Sequence, residues 1–154
     1  MMSKFEFEEF TSLILPTGCS WRHTISSLAN AAAYIGERVS HINWAGFYLV
    51  EGNSLLLGPF WGKVACSEIP FGKGVCGTAW KKQHTVVVNN VHLFPNHIVC
   101  DHQSNSEIVV PLIQEGEVVG VLDIDSPYVD RFSDIDRLFF EKVAQIISVM
   151  VPFT

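Results

Sequence analysis

The chain has 154 residues and a formal net charge of −6, is 48% hydrophobic and 17% charged, and has a mean hydropathy of +0.26. These totals fit one folded domain, 1–154, able to bury about two-thirds of its unfolded surface, and they exclude a disordered chain. An acidic balance without any Lys/Arg cluster argues against nucleic acid or an anionic membrane as partner.

The opening MMSKFEFEEF lacks the basic and apolar regions of a secretory signal, and no apolar run approaches the ~18 residues of a membrane span. A cytoplasmic protein is expected, and in that compartment cysteines are reduced at rest. Residues 4–14 read as a short amphipathic helix closed by Pro16-Thr17-Gly18, with Cys19 an incidental thiol in the linker. Ser20 then caps a longer helix over 21–38, with Ile25, Leu28, Ala29, Ala32 and Ile35 as its expected buried face.

From Ile42 the period changes. Residues 43–50 (NWAGFYLV) read as a strand, and Gly52-Asn53 turns the chain into a second strand over 54–58. Alternation places Trp44, Gly46 and Tyr48 on one face, where two large rings flanking a glycine would form either a pocket wall or ordinary sheet packing. Residues 75–82 read as a short helix starting near Cys76, and 85–88 as a buried strand. A polar segment, 89–105, leads to a second hairpin of strands 107–112 and 117–125 around Gly116. Ser133 caps a final helix, with Asp136 at the capping-box position and an apolar stripe of Ile135, Phe139, Val143, Ile146, Ile147 and Met150. Two hairpins with helices at both ends predict an α+β domain, a mainly antiparallel sheet covered by helices.

The stretch 58–107 holds three of the four cysteines in what read as glycine-rich and polar connections. Cys66 and Cys76 flank the turn Pro70-Phe71-Gly72-Lys73-Gly74, which lacks the spacing of a phosphate loop and reads as a flexible hinge; Cys100 follows in the polar segment. Thiols on long loops can reach solvent and one another, as redox chemistry requires. Three packing cysteines are the alternative. Zinc would find ligands in His97-x-x-Cys100-x-His102 with Cys66 and Cys76, but the gap of ten between those two cysteines and the lack of C-x-x-C argue against a metal.

Asp123 and Asp125 lie two apart on a strand and share a face, with Glu107 on the neighbouring strand able to join them. Three converging acids raise the pKa of at least one, giving a group that binds a cation or donates a proton. The alternative is a strand end with solvated acids.

The segments NWAGFYL, LLLGPFWGKVAC, IPFGKGVCGTA, VHLFPNHIVCD, SNSEIVVPL and GVLDIDSP, in that order, resemble the free methionine-(R)-sulfoxide reductases, single-domain GAF-fold enzymes of the cytosol. The resemblance runs from about Asn43 to Pro127 and implies a GAF-like domain whose cysteine thiol reduces free methionine (R)-sulfoxide. By motif, Cys100 is the expected nucleophile, Cys66 the resolving thiol and Cys76 an assisting one. A sulfenic acid, then a disulfide, is expected on the enzyme, with no resident cofactor and a thioredoxin-type protein as external reductant. Position alone would favour Cys76 as nucleophile, because a helix N-terminus lowers a thiol pKa. The resemblance also places Glu107, Asp123 and Asp125 on the substrate ammonium and sulfoxide oxygen, with Asp125 catalytic, and Trp44 and Tyr48 around the S-methyl group. Backbone near Ile98, Val99 and Cys100 would meet the substrate carboxylate. A homodimer fits such a fold. Trp61, Trp80 and Val99 depart from the residues usual there and are expected to narrow the pocket or its lid. Other functions compatible with the sequence are a ligand-sensing GAF module without turnover and a zinc- or thiol-based redox sensor.

Overall fold

The computed structural model describes residues 4–95, 98 and 103–153. Helices α1 (Phe7–Ile14) and α2 (Trp21–Arg38) precede the hairpin β1 (Trp44–Glu51) and β2 (Ser54–Gly62). A short strand β3 (Glu68–Pro70), helix α3 (Gly74–Lys82) and strand β4 (Val86–Val88) follow. After a 3₁₀ turn, Val91–Leu93, the hairpin β5 (Ser106–Gln114) and β6 (Glu117–Ser126) leads to α4 (Asp134–Met150). The strands form one six-stranded sheet in the order β3-β2-β1-β6-β5-β4, and every pairing described is antiparallel.

Alternation along the strands divides the interior in two. On one face Ala45, Phe47, Ile108, Val110, Leu112, Leu122 and Ile124 pack against α1, α2 and α4. Each large apolar side chain fully buried there is worth about 1.5–3 kcal/mol. The opposite face carries Trp44, Tyr48, Val109 and Val121 beneath α3 and its flanking loops. The expected split of β1 into two faces is therefore observed.

The bounds of α2 match the expected 21–38, but its buried face is turned by one residue. Ile25 is 42% exposed and Ala29 is exposed, whereas Thr24, Ser27, Leu28, Ala31, Ala32, Tyr34 and Ile35 are buried. Stripes starting at 24 and at 25 share Leu28, Ala32 and Ile35, so hydropathy alone does not choose between them. Small residues decide the matter, because they let the helix approach the sheet. A side chain at Gly36 would collide with the Trp61 ring. Trp61 pairs across the hairpin with Ala45 and packs in the helix-covered core, so it does not narrow the pocket.

In α4, Ile135 is 74% exposed, contrary to the expected stripe. Its inward place in the first turn is held by Asp136, which receives the Ser133 backbone N–H at 2.8 Å and faces Arg131 Nη1 at 3.0 Å. Strand β4 lies at the sheet edge, with only Val88 fully buried, so the expected buried strand is half-buried. The stretch 58–107 also holds more regular structure than its composition indicates, since β2 runs on to Gly62 and β3, α3 and β4 follow. Among the described residues, no helix is long and apolar enough to cross a membrane.

Candidate active site

The second face of the sheet ends in a cavity of about 40 Å³ bordered by Trp44, Tyr48, Cys76, Ile98, Glu107, Asp123 and Asp125. Seven residues from separate stretches of sequence thus meet at one place. The sheet register brings them together: Asp125 pairs with Trp44 on β1 and Glu107 on β5, while Asp123 pairs with Gly46 and Val109. Glu107 and Asp123 are 7% and 5% exposed, which overturns the reading of solvated strand-end acids.

Burial, and then the charge of Asp125, push the Glu107 carboxyl well above the usual carboxylate range. Burial and the charge of Glu107 do the same to Asp123. Asp123 Oδ1 makes no hydrogen bond among the described residues. A buried acceptor left in this state costs about 1–3 kcal/mol, and it calls for a donor beyond the described residues.

Cys76 lies inside α3, 3% exposed, with Sγ 4.0 Å from Glu107 Oε2. Burial raises its pKa, and the charges of Asp123 and Glu107 raise it further. The expectation of a thiolate favoured by the helix N-terminus is therefore overturned: the carboxylates and the loss of water outweigh the helix end. Cys66 is disulfide-bonded, whereas Cys19, exposed, and Cys76 are free thiols. Cys100, Val99, His97 and His102 lie outside the described residues.

The two rings of β1 do more than wall the cavity. The Trp44 indole N–H donates to the Lys63 carbonyl at 3.0 Å, and the Tyr48 hydroxyl donates to the Cys66 carbonyl at 2.8 Å. Burial raises the Tyr48 pKa and keeps its phenol a donor. The loop carrying Cys66 is thereby tied to the cavity wall, and Lys63 Nζ binds Gln103 Oε1 at 2.9 Å across to the polar segment. No sequence pattern marks these bonds, because their acceptors are backbone carbonyls and one amide.

The expected flexible hinge at Gly72-Lys73-Gly74 is a hydrogen-bonded turn. Gly72 and Gly74 have φ of 74° and 62°, a region that favours glycine, and the Gly72 N–H donates to the Gly77 carbonyl at 3.1 Å. The turn starts α3 with Gly74 against Ile98 at the cavity rim. Ser104 also borders the cavity and accepts a hydrogen bond from Asn43 Nδ2 at 3.3 Å, a placement with no sequence signal. Trp80 stacks edge-on against Phe71, ring centroids 4.6 Å apart, and does not border the cavity, so it does not narrow the pocket itself.

A GAF domain model matches residues 23–151. The free methionine-R-sulfoxide reductase of Escherichia coli is 50% identical over 127 residues, covering 82% of this chain and 77% of the relative. The chain belongs to the free methionine-R-sulfoxide reductase family. The yeast free methionine-R-sulfoxide reductase, from Saccharomyces cerevisiae, is 46% identical over 84% of this chain and 76% of its own. A solved free methionine-R-sulfoxide reductase from Neisseria meningitidis, in complex with its substrate, superposes with a TM-score of 0.87 at 41% identity, covering 95% of this chain and 86% of that one. The α+β GAF fold and the enzyme family expected from the motifs are thus both found. The buried acids, the two aromatic rings that border the same cavity and the nearby loop of the disulfide-bonded Cys66 make this the candidate active site.

Proposed function

We propose that this protein reduces free L-methionine (R)-S-oxide to L-methionine by cysteine thiol chemistry, as a single catalytic domain spanning 1–154. The observation that carries the reading is the buried Glu107–Asp123 pair, with Asp123 Oδ1 unpartnered among the described residues, bordering a cavity that Trp44 and Tyr48 also line. Such acids are costly to bury without a cation, and the substrate ammonium supplies one. A peptide-bound methionine sulfoxide has no ammonium to offset that cost, so the free amino acid is selected. Trp44 and Tyr48 enclose the S-methyl group, and backbone near Ile98, Val99 and Cys100 meets the carboxylate.

The chemistry runs in two balanced steps. The Cys100 thiolate attacks the sulfoxide sulfur while Asp125, or an acid coupled to it, protonates the sulfoxide oxygen. Oxygen passes to the Cys100 sulfur, methionine leaves reduced by two electrons, and a sulfenic acid remains. The Cys66 thiol then attacks that sulfur, an S–S bond forms, and the oxygen leaves as water. The disulfide-bonded state of Cys66 supports its role as resolving thiol. Cys76, a buried neutral thiol beside Glu107, assists as a weak donor and is not the nucleophile.

The electrons come from the two thiols, so no resident cofactor is required. A thioredoxin-type protein in the cytoplasm reopens the disulfide at Cys66, whose loop exposes Val64 at 86%. The protein acts as a homodimer through apolar residues left exposed at the α1 and α4 ends, Leu15 and Val149, beside grooves that share Thr11 and Met150.

Methionine release from the free (R)-sulfoxide is the test. Cys100→Ser should abolish it, and Cys66→Ser should allow one turnover but no recycling by thioredoxin. Substrate without reductant should remove two thiols and link Cys66 to Cys100. Near-normal turnover by Cys100→Ser, or a peptide map pairing Cys76 with Cys100 instead, would overturn the assignment of roles.

A further inference from the structure

Cys76 Sγ and one carboxylate oxygen each of Glu107 and Asp123 lie within 4.8 Å of one another. All three residues are more than nine-tenths buried, and Asp123 Oδ1 stands without a hydrogen-bond partner among the described residues. This is a sulfur–oxygen–oxygen set, which is more than an ammonium needs. An ammonium is met by carboxylates, whereas a thiol adds little to that contact but much to a thiophilic metal.

The distances can be compared with metal bond lengths. Zinc binds thiolate at about 2.3 Å and carboxylate oxygen at about 2.0–2.2 Å. An ion placed between Cys76 Sγ and Glu107 Oε2, which are 4.0 Å apart, satisfies both bonds without moving either atom. A tetrahedral arrangement needs ligand atoms roughly 3.3–3.7 Å apart, given those bond lengths. Side-chain rotations that close the gaps by about 1 Å bring Asp123 in as well. The cavity of about 40 Å³ beside the three leaves room for a water as fourth ligand.

We propose that Cys76, Glu107 and Asp123 form a site for one divalent thiophilic ion of the zinc class in the substrate-free protein. The ion and the substrate ammonium require the same two carboxylates, so metal and substrate exclude each other. This second statement rests on the substrate reading given above, whereas the metal site itself does not. Binding of the ion displaces the proton of the Cys76 thiol. Calcium and magnesium, which prefer oxygen-only sets of six or more ligands, are poor occupants.

The test uses the oxidised protein, in which Cys66 is in its disulfide and Cys19 and Cys76 are the free thiols. Cys19→Ser then leaves Cys76 as the free thiol. Cobalt(II), added anaerobically without reductant, should give a saturable thiolate-to-cobalt charge-transfer band at one equivalent, abolished by zinc. Cys76→Ser on the same background should lose the band. Glu107→Gln, with its fold checked by circular dichroism, should keep a thiolate ligand but weaken zinc roughly tenfold or more. Absence of the band, or its survival in Cys76→Ser, overturns the metal site, and intact turnover of the sulfoxide then leaves the substrate reading standing.

Free methionine should displace the cobalt, while glycine, which chelates through the same amine and carboxylate, should not do so at equal concentration. Equal displacement by the two, or by neither, overturns the mutual exclusion. A band with no methionine effect and no turnover of sulfoxide overturns the substrate reading and, with it, the mutual exclusion, while the metal site stands.

Discussion

Replacing Asp123 with asparagine removes one charge from the buried cluster at nearly constant shape. In the reductase, Asp123 borders the cavity, its Oδ1 has no hydrogen-bond partner among the described residues, and Glu107 and Cys76 lie against the same carboxyl. A lost charge-assisted contact costs about 1.5–3 kcal/mol, so kcat/KM for the free sulfoxide should fall about ten- to hundredfold. Stability should move the other way. A carboxyl whose folded pKa is raised stabilises the fold fully below its unfolded pKa, about 4, and that contribution is lost as pH rises through the folded value. Asp123 is such a group, so at pH 8 it opposes folding of the substrate-free protein. Each pKa unit relieved by Asp123→Asn is about 1.4 kcal/mol, or roughly 3–6 °C of Tm in a domain of this size. Thermal melts at pH 8 and pH 5 should show the variant more stable than the parent at pH 8, with the gain shrinking at pH 5. A variant less stable at pH 8, or one keeping kcat/KM within twofold, would refute the account of a cluster strained for a cation.

Two further substitutions probe the scaffold. Tyr48→Phe removes the donor to the Cys66 carbonyl, which should cost about 1 kcal/mol and roughly 2–4 °C of Tm; an unchanged melt would show that the bond does not hold the loop. Gly77→Ala places a Cβ 2.7 Å from the Pro70 carbonyl oxygen, a backbone atom that cannot step aside. The expected overpacking cost of about 1–3 kcal/mol exceeds the ~1 kcal/mol that alanine gains in a helix, so the melt should fall, and a rise would contradict the packing of α3 on the glycine turn.

Much of this site was readable as a period-two pattern. The pairing of Asp123 with Asp125, and of Trp44 with Tyr48, follows from alternation along strands whose other face is apolar. Pairing of β1 with β6 and of β6 with β5 then sets those faces side by side. What alternation does not reveal is depth: the same spacing describes solvated acids, and only α3 and its flanking loops make these acids buried. Cys76 misled for that reason, since a position near a helix N-terminus predicts a lowered pKa only where water and charge permit. The ties from Trp44 and Tyr48 to the Cys66 loop were invisible because a backbone carbonyl is present at every residue. The turned face of α2 reflects Ser27 and Ala31, residues whose small size matters in packing but weighs little in hydropathy.

Recognition of a free amino acid by buried acids is most directly tested by kcat/KM for the (R)-sulfoxides of free methionine and N-acetyl-methionine, measured side by side with thioredoxin recycling. Acetylation removes the ammonium and leaves the sulfoxide, the S-methyl group and the carboxylate in place. The account predicts a loss of about tenfold to hundredfold for the acetylated compound in the parent enzyme, from one missing charge-assisted contact. Asp123→Asn should narrow that gap. Equal kcat/KM for the two sulfoxides in the parent enzyme would contradict the account.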